Sequence, residues 1–428
     1  MRQNLLETYG RQLKVAEAYV AKNFDGKTVS NNTKLTTAVL LDNTNRWMTE
    51  SMVAGGQRAD LGDWKKFCLN LTNIAVPSLI ANDLVIVHPM TSYSGSVAYL
   101  RYEAATNKNG MKGKVLNSVF GLGEMDDNRV AYTSQILIEN YEDGGKLSFE
   151  AVEGGLTNVE GNNVVRYTYK IDGEYTNELK AGKVAYVAKQ FQMETVPATE
   201  IPAIKPVMER IALVAEPRRI AVKYDQITAF QAKTDYGFSL DKQIAEQACG
   251  ELAYEIDTEI VDMLYEGALS HGEEEKLTWS KTLPVGVSKF EHYNAFLEVI
   301  EEAKAIIYKR TQKFHPNYMV IAADVLPILK FVNGFTAAKV AKMNGPYKVG
   351  EIDGMNVYVS PRLKGRSFFF GLNGSDMMSS AGVYAPYMAI VPTQLLGTPD
   401  GALQQGFSTW YAKALLNKNL LVAGEITE

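Results

Sequence analysis

The segment from Ser239 to Gly267, SLDKQIAEQACGELAYEIDTEIVDMLYEG, predicts one long amphipathic helix. Its apolar residues recur every four positions, and a second row widens the stripe. The first row consists of Leu240, Ile244, Ala248, Leu252, Ile256, Ile260 and Leu264, and the second of Ala245, Cys249, Ala253 and Val261. At about 1.5 Å per residue the helix would be roughly 40 Å long.

The other side of this helix is acidic. Its acids are Asp241, Glu246, Glu251, Glu255, Asp257, Glu259 and Asp262, against Lys242 alone. We expect them on a solvent-facing surface. A carboxylate pair acting as general acid and base is one alternative. Pairing with basic groups of a neighbouring chain is another, because such contacts set partner choice and register.

Composition excludes several classes of protein. The 428 residues, 46% of them hydrophobic, favour two or three structural units, and the net charge of −5 argues against a dedicated nucleic-acid binder. The two cysteines, Cys68 and Cys249, have no C-x-x-C spacing, which favours a reducing compartment. The N-terminus lacks the apolar run of a signal peptide, and no window is apolar enough to span a bilayer. We therefore expect a soluble chain that is intracellular when made, with no membrane partner.

The chain contains few of the sequence motifs that are typical of enzyme active sites. It has no P-loop, zincin or nucleophile-elbow motif, and GLGEMD at 121–126 is better interpreted as a turn than as a dinucleotide site. The four histidines, His88, His271, His292 and His315, lack ligand spacing, and the acidic run at 273–275 is typical of a solvated loop. The sequence predicts no enzyme, no cofactor and no metal.

The remaining patterns organise the chain. Residues 1–24 predict an amphipathic helix, and the polar stretch DGKTVSNNTKLTT after it predicts a linker, so we expect an arm outside the main core. Short alternating runs from about 106 to 205 predict a β-rich segment. Hairpin turns are predicted at Asp172-Gly173 and Asp353-Gly354. SKFEHYNAFLEVIEEAKAIIYKRT predicts a second helix, and RSFFFGLNG, GVYAPYMAIVP and FSTWYAKALLNKNLLVAGE predict strands.

Three segments resemble one protein family in the same chain order. They are IAVPSLIANDLVIVHPMTSYSGSVAYLRYEA at 74–104, the region 221–264 that ends in EIDTEIVDML, and GVYAPYMAIVP with the following QGFSTWYAKAL at 382–415. Together they are similar to the major capsid proteins of T-even-like myoviruses, over roughly residues 60–428. The order of elements also resembles the Hong Kong 97-type fold of tailed-phage capsid proteins.

This resemblance implies an α+β fold of named parts. They are an N-terminal arm at 1–60, the start of a peripheral domain at 61–105, a β-rich extended loop with a possible inserted subdomain at 106–205, the peripheral domain at 206–315 with its spine helix at 239–267, an axial domain at 316–390, and C-terminal return strands at 391–428. The implied function is a shell subunit that forms hexamers and pentamers of an icosahedral head around double-stranded DNA, without specific DNA binding. Implied partners are scaffold, portal and possible decoration or vertex proteins. The virion is the implied location, after synthesis in the host bacterial cytoplasm.

Candidate interface residues follow from charge. Lys108, Lys112 and Lys114 lie in a polar loop and would be available to a neighbour's acidic face. Arg218 and Arg219 would meet an anionic partner or form an ion pair. The acidic candidates on the long helix are Glu246, Glu251, Glu255 and Glu259.

Some alternatives remain open at this level. The relatives carry an N-terminal propeptide that is cleaved after glutamate, for which Glu17 is the candidate here, although only about sixty residues precede the match. A vertex paralogue that forms pentamers and an encapsulin-like shell share the implied fold. A carbohydrate-acting hydrolase with a carboxylate pair in the β-rich segment is the alternative from another class.

Overall fold

The structure is a computed structural model of the chain. It describes residues 2–23, 29–53, 69, 72, 76–77, 79–105, 136–139, 149–159, 162–171, 174–176, 187–190, 203–235, 237, 240–272, 276–311, 313–338, 345–393, 396–397 and 402–427. The chain divides into two compact units, one of Met1–Val97 with Arg210–Glu428 and one of Ala98–Glu209. Among the described helices, none is both long and apolar enough to cross a bilayer.

Helices and strands are both abundant. The described helices are α1 (Arg2–Thr8), α2 (Gly10–Asn23), α3 (Asn31–Val53), α4 (Ala81–Leu84), α5 (Gln226–Asp235), α6 (Leu240–Leu269), α7 (Lys289–Asn294), α8 (Phe296–Thr311) and α9 (Leu326–Leu329). The described strands are β1 (Ile86–Val87), β2 (Ser94–Ala104), β3 (Ile136–Glu139), β4 (Phe149–Val159), β5 (Asn162–Ile171), β6 (Glu174–Thr176), β7 (Val187–Gln190), β8 (Ile204–Val214), β9 (Glu216–Asp225), β10 (Leu277–Ser280), β11 (Tyr318–Ala322), β12 (Thr336–Ala337), β13 (Tyr347–Ile352), β14 (Met355–Ser360), β15 (Ser367–Gly371), β16 (Gly382–Pro392), β17 (Leu396–Gly397), β18 (Ala402–Leu415) and β19 (Val422–Thr427).

The first sheet of the larger unit is built around β16 and β18. Its order is β1-β16-β18-β17, and β9 pairs antiparallel with β18 from Glu216↔Tyr411 to Asp225↔Ala402. Successive side chains of a strand point to opposite faces. Ile390 accordingly packs under α6, whereas Ala389 packs with Leu40 of α3. Helices therefore cover both faces of this sheet.

The second sheet of the larger unit has the order β10-β19-β15-β11-β14-β13-β12. Every residue of β11 and β15 is buried, as expected for strands covered on both faces. The predicted hairpin at Asp353-Gly354 is confirmed. Both residues have positive φ, 47° and 73°, and they join β13 to β14 as a type I′ turn. The predicted second helix is α7 followed by α8, and α8 buries Phe296, Ile300 and Ile307.

The smaller unit is rich in strands. Its five-stranded antiparallel sheet has the order β3-β7-β5-β4, with β6 on β5. Ile171 of β5 pairs with Glu174 of β6, on either side of the predicted Asp172-Gly173 turn, whose residues lie outside the described part of the chain. In addition, β2 and β8 form a two-stranded sheet.

The predicted fold class, α+β with the Hong Kong 97-type order of elements, is confirmed. N-terminal helices come first, a β-rich excursion follows, and a long helix precedes an α/β unit and C-terminal strands. The domain boundaries given above stay a prediction, because compactness divides the chain at other positions.

The expectation about the N-terminal segment is wrong in two respects. Asn31–Thr37, predicted as linker, begins the 23-residue helix α3, and Thr36 and Thr37 are buried there. Their hydroxyls donate to carbonyl oxygens one turn earlier, at 2.9 and 2.8 Å. The hydrogen-bonding needs of these buried polar side chains are therefore met within the helix itself. Nor is the segment outside the core, because Tyr9 and Leu13 pack on α3, which packs on β16.

Candidate functional site

The long helix α6 is the element from which the candidate site is built. It spans 30 residues, and its predicted apolar stripe is buried along most of its length. Its first half packs on the first sheet through Ala248 and Leu252, which share a buried cluster with Phe407. Near its other end the Tyr265 ring lies 6.0 Å from that of Phe369 in the second sheet. The helix therefore braces the two sheets of the larger unit against each other.

Glu259 is the centre of a polar cluster between α6 and the first sheet. Arg218 of β9 donates to it through Nε at 3.0 Å and Nη2 at 3.2 Å. Tyr411 of β18 donates its hydroxyl at 2.9 Å, and the Lys413 Nζ lies 3.0 Å from Oε2. The Arg218 guanidinium also lies over the Tyr411 ring, 5.3 Å from its centroid. Three groups from two strands thus converge on one carboxylate.

The cluster shifts the acidity of its members. Burial alone would raise the pKa of Glu259, but hydrogen bonds from Arg218, Lys413 and Tyr411 outweigh it and lower the pKa from 4.5 to about 2. Burial and the neighbouring Glu259 charge raise the pKa of Tyr411 above its usual value. Glu259 is therefore a fixed anion at neutral pH, and Tyr411 and Arg218 hold their protons. Such an arrangement joins α6 to β9 and β18.

Two further acids of α6 are also used within the chain. Asp257 is buried, 8% exposed, and its Oδ1 accepts the backbone N–H of Ala81 at 3.0 Å, at the start of α4. Asp262 pairs with Arg362 at 3.2 Å, after β14. The prediction that the acids lie on one solvent-facing side is therefore wrong for Asp257. The prediction is also wrong for Glu259, whose side chain is 30% exposed and is bound by Arg218, Tyr411 and Lys413. Spacing in the sequence did not separate these flank positions from the outer face.

The remaining acidic candidates do face solvent. Glu246, Glu251 and Glu255 are exposed on α6, and the first two line an open groove with Tyr254 and Gly345. On the opposite face of the first sheet, Arg219 is exposed and its guanidinium lies 5.7 Å from the Trp410 ring centroid. The structure thus separates Arg218, an internal clamp, from its neighbour Arg219. Lys108, Lys112 and Lys114 lie outside the described residues, as do 121–126 and 273–275.

The histidines and the described cysteine have structural surroundings. His292 stacks on Trp279 at 4.7 Å and its Nε2 bonds the Ser280 carbonyl at 2.9 Å, while His315 stacks on Tyr308 at 5.1 Å. Cys249 is buried in the contact with the first sheet, and burial raises the pKa of its thiol to about 12, so it is unreactive. Over the part of the chain that the structure describes, no group of three His, Cys, Asp or Glu residues could hold a metal ion.

Sequence reasoning missed Tyr411, Lys413 and the roles of Asp257 and Asp262. A signal for the first pair was present, because Phe407, Thr409, Tyr411 and Lys413 alternate along one strand and share a face. Nothing in the local sequence indicated that this face would meet Glu259, which lies 152 positions earlier than Tyr411.

Comparison with known families decides what kind of protein carries this architecture. The profile of the family described as Major capsid protein Gp23 matches residues 61–427. The chain belongs to this family of phage major capsid proteins. The match includes the whole of α6, the clamp around Glu259 and both sheets of the larger unit, whereas α1, α2 and α3 precede it.

Individual relatives agree with the family. The major capsid protein of Escherichia phage AR1 is 22% identical over 390 residues, covering 80% of this chain and 73% of that protein. That of Enterobacteria phage T4 is 21% identical over 395 residues, covering 80% and 73%. Among solved structures, a chain of Microbacterium phage Oxtober96 is 13% identical with a TM-score of 0.41, covering 82% and 90%. The capsid of Myoviridae phage XM1 is 9% identical with a TM-score of 0.37, covering 79% and 89%. The assignment rests on the sequence family.

Membership in the Gp23 family confirms the predicted resemblance and the predicted function of a tailed-phage major capsid protein. The chain is a structural subunit of the virion that assembles into capsid oligomers. The clamp around Glu259 is accordingly part of the internal bracing of a capsid subunit.

Proposed function

We propose that this capsid subunit forms the hexamers and pentamers of an icosahedral head that encloses double-stranded DNA, with scaffold and portal proteins as assembly partners. The observation that carries the proposal is the family match over residues 61–427, which spans both sheets and the helix that braces them. In a closed shell, each subunit is subject to forces from neighbours on several sides. A 30-residue helix that joins both sheets would help the subunit to keep its shape under these forces.

Charge supports the proposed contacts between subunits. Glu246, Glu251 and Glu255 are exposed on α6. We expect them to pair with basic groups of a neighbour, for which Lys108, Lys112 and Lys114 are the candidates. Exposed Arg219 is a candidate on the other face of the sheet. Arg218 and Glu259 have partners within the chain, which weakens their case as interface residues.

The remaining proposals concern composition and location. We expect 1–60 to act as an N-terminal arm that packs on its own subunit through α3, and 106–205 as an extended loop, with decoration or vertex proteins as further partners. The chain would work without a cofactor and without catalysis. With a net charge of −5 the shell would tolerate packaged DNA without binding it specifically. Synthesis in the host bacterial cytoplasm would precede assembly.

Electron microscopy of the purified chain tests the proposal. The chain is expressed alone and with the scaffold protein of the same phage, and the products are sized by light scattering. Capsomers with five and six subunits, or closed shells, are the expected result. A uniform monomer under both conditions would refute it. Counting copies per particle separates a shell subunit from a vertex subunit that forms only pentamers.

A further inference from the structure

We infer that an exposed apolar patch at one end of the second sheet is a contact surface for another copy of this chain. The patch consists of Leu283, Val285, Val287, Phe290 and Phe331. Their exposed fractions are 46%, 105%, 37%, 51% and 51%. The inference rests on the proposed function and adds to it a specific surface.

The residues belong together in space. Leu283, Val285 and Val287 lie in the loop between β10 and α7, and Phe290 follows in the first turn of α7. Phe331, two residues after α9, lies beside α7, because its ring is 5.8 Å from that of Tyr293. The Asn333 backbone N–H also donates to the Asn294 side chain at 2.8 Å.

The loop is held rigidly in the subunit at its start. The Lys281 backbone N–H continues the β10–β19 ladder by donating to the Thr427 carbonyl at 3.0 Å. The His292 ring bonds the Ser280 carbonyl at 2.9 Å and stacks on Trp279, so the aromatic core supports the strand end from below.

The end of the loop is fixed by a capping box. The Ser288 hydroxyl accepts the Glu291 N–H at 3.2 Å, and the Glu291 carboxylate accepts the Ser288 N–H at 3.1 Å. Between the two ends, the Val287 N–H donates to the Pro284 carbonyl at 3.3 Å and Gly286 has φ of 90°. This is a type II turn with Val285 at its corner, which explains its complete exposure.

A fixed loop that presents apolar side chains has the properties of a binding surface. A loop tethered at both ends and closed by an internal turn would lose less conformational entropy when a partner covers it than an untethered loop would. Five large apolar side chains at this exposure present a few hundred Å², comparable with the largest patches on monomeric proteins, which are often functional. That is about half of the roughly 800 Å² that each partner contributes to a standard interface.

The charges around the patch favour a second copy as the occupant. Lys281, Lys289 and Lys330 are exposed at its margin, and the carboxylate of Glu291 is engaged by Ser288. Three lysines disfavour contact between two identical patches. The chain's own exposed acids on α6 supply the opposite charge on a different surface. A contact between unlike surfaces of identical chains is heterologous, and such contacts form a ring when the rotation between subunits closes, as in a capsomer.

Two measurements test the inference. Backbone hydrogen exchange of residues 282–287 is compared between unassembled subunits and shells of the wild-type chain, and we expect it to slow by about tenfold or more in shells. Val285→Asp is compared with Ile227→Asp, a substitution at a 64% exposed residue of α5. We expect Val285→Asp to lower shell yield by about tenfold or more with an unchanged subunit melting temperature, and Ile227→Asp to assemble as the wild type does. A tenfold loss is the scale of a single lost apolar contact.

Each other result overturns the inference. It fails if exchange in the loop is equal in subunits and shells, if Val285→Asp assembles normally, or if Ile227→Asp is equally impaired. The inference also fails if hydrogen exchange of the loop slows only when scaffold protein is bound, because the patch is then covered by scaffold and not by another copy of this chain. In all these cases wild-type shells still form and the proposed function stands. If the wild-type chain forms no oligomers under any condition, the proposed function fails as well.

Discussion

Arg218 of β9 and Glu259 of α6 form a two-point salt bridge, with Nε–Oε1 at 3.0 Å and Nη2–Oε2 at 3.2 Å. It joins the strand at the edge of the first sheet to the middle of the long helix. Tyr411 and Lys413, both on β18, bind the same Glu259 carboxylate. This capsid subunit is thus held together by a polar contact at a place where its helix and sheet also bury apolar surface.

Removing the Glu259 charge should destabilise the subunit. Glu259→Gln leaves Arg218 and Lys413 facing a neutral amide, and we expect the free energy of unfolding to fall by about 1–3 kcal/mol. The side chain is partly exposed, so solvent screening places the loss below that of a fully buried pair. Urea unfolding followed by circular dichroism measures it. Glu251→Gln, at an exposed position of the same helix, should stay within about 0.5 kcal/mol of the wild type.

The same carboxylate should make stability depend on pH in a defined window. Its pKa in the folded chain is about 2, below the ordinary 4.5, so its contribution is complete above pH 4.5 and is lost as the pH falls towards 2. We therefore expect the difference in unfolding free energy between the wild type and Glu259→Gln to be constant from pH 5 to 7. It should shrink between pH 4.5 and 2. A difference that does not change with pH over the acid range would contradict the assigned pKa.

Asp257 should matter through its acceptor oxygen. Its carboxylate is buried and accepts the Ala81 N–H at 3.0 Å. Asp257→Ala leaves that donor without its partner and should cost about 1–3 kcal/mol. Asp257→Asn keeps an acceptor oxygen in place and should cost less. Thermal unfolding of the two variants ranks them, and an equal loss for both would assign the effect to the negative charge instead of the hydrogen bond.

Asn43 should hold α3 against the first sheet. Its side-chain amide donates to the carbonyls of Met90 and Tyr387, at 2.7 and 2.8 Å, and is 5% exposed. Asn43→Ala leaves two carbonyls without this donor, so we expect residues 31–53 to be cleaved faster in limited proteolysis. Thr49→Ala is the matched control on the same helix, because its exposed hydroxyl bonds only the local Asn45 carbonyl. Equal cleavage rates in the two variants would show that Asn43 does not attach the helix.

Glu17 also proves to be part of the helical packing. It was the candidate for propeptide cleavage, and it lies within α2, paired with Lys34 of α3 at 2.5 Å. Whether the chain is cut there stays a prediction. N-terminal sequencing of the protein from purified virions gives the answer directly.

Much of this fold was accessible from local patterns. The periodicity of 239–267, the alternation in 382–392 and the Asp353-Gly354 turn each specify an element through the geometry of its own backbone, and all three elements are present. The polar start of α3 is an exception, because composition alone does not show that Thr36 and Thr37 bond carbonyls of their own helix. The family resemblance lies in the order of the elements and in the segments 74–104, 221–264 and 382–415.

The sequence by itself determined the long helix, most strands of the larger unit and the membership in a capsid family, because these depend on residues near one another in the chain. Only the tertiary structure decided which acids of α6 are internal. The partners of Glu259 lie 41 and 152 positions away, and the pairing of β9 with β18 brings them to one face. Helical spacing places Glu255 and Glu259 one turn apart on the same flank, yet one is exposed and the other is clamped. The difference is that β9 and β18 place Arg218, Tyr411 and Lys413 beside Glu259, and no local pattern records that.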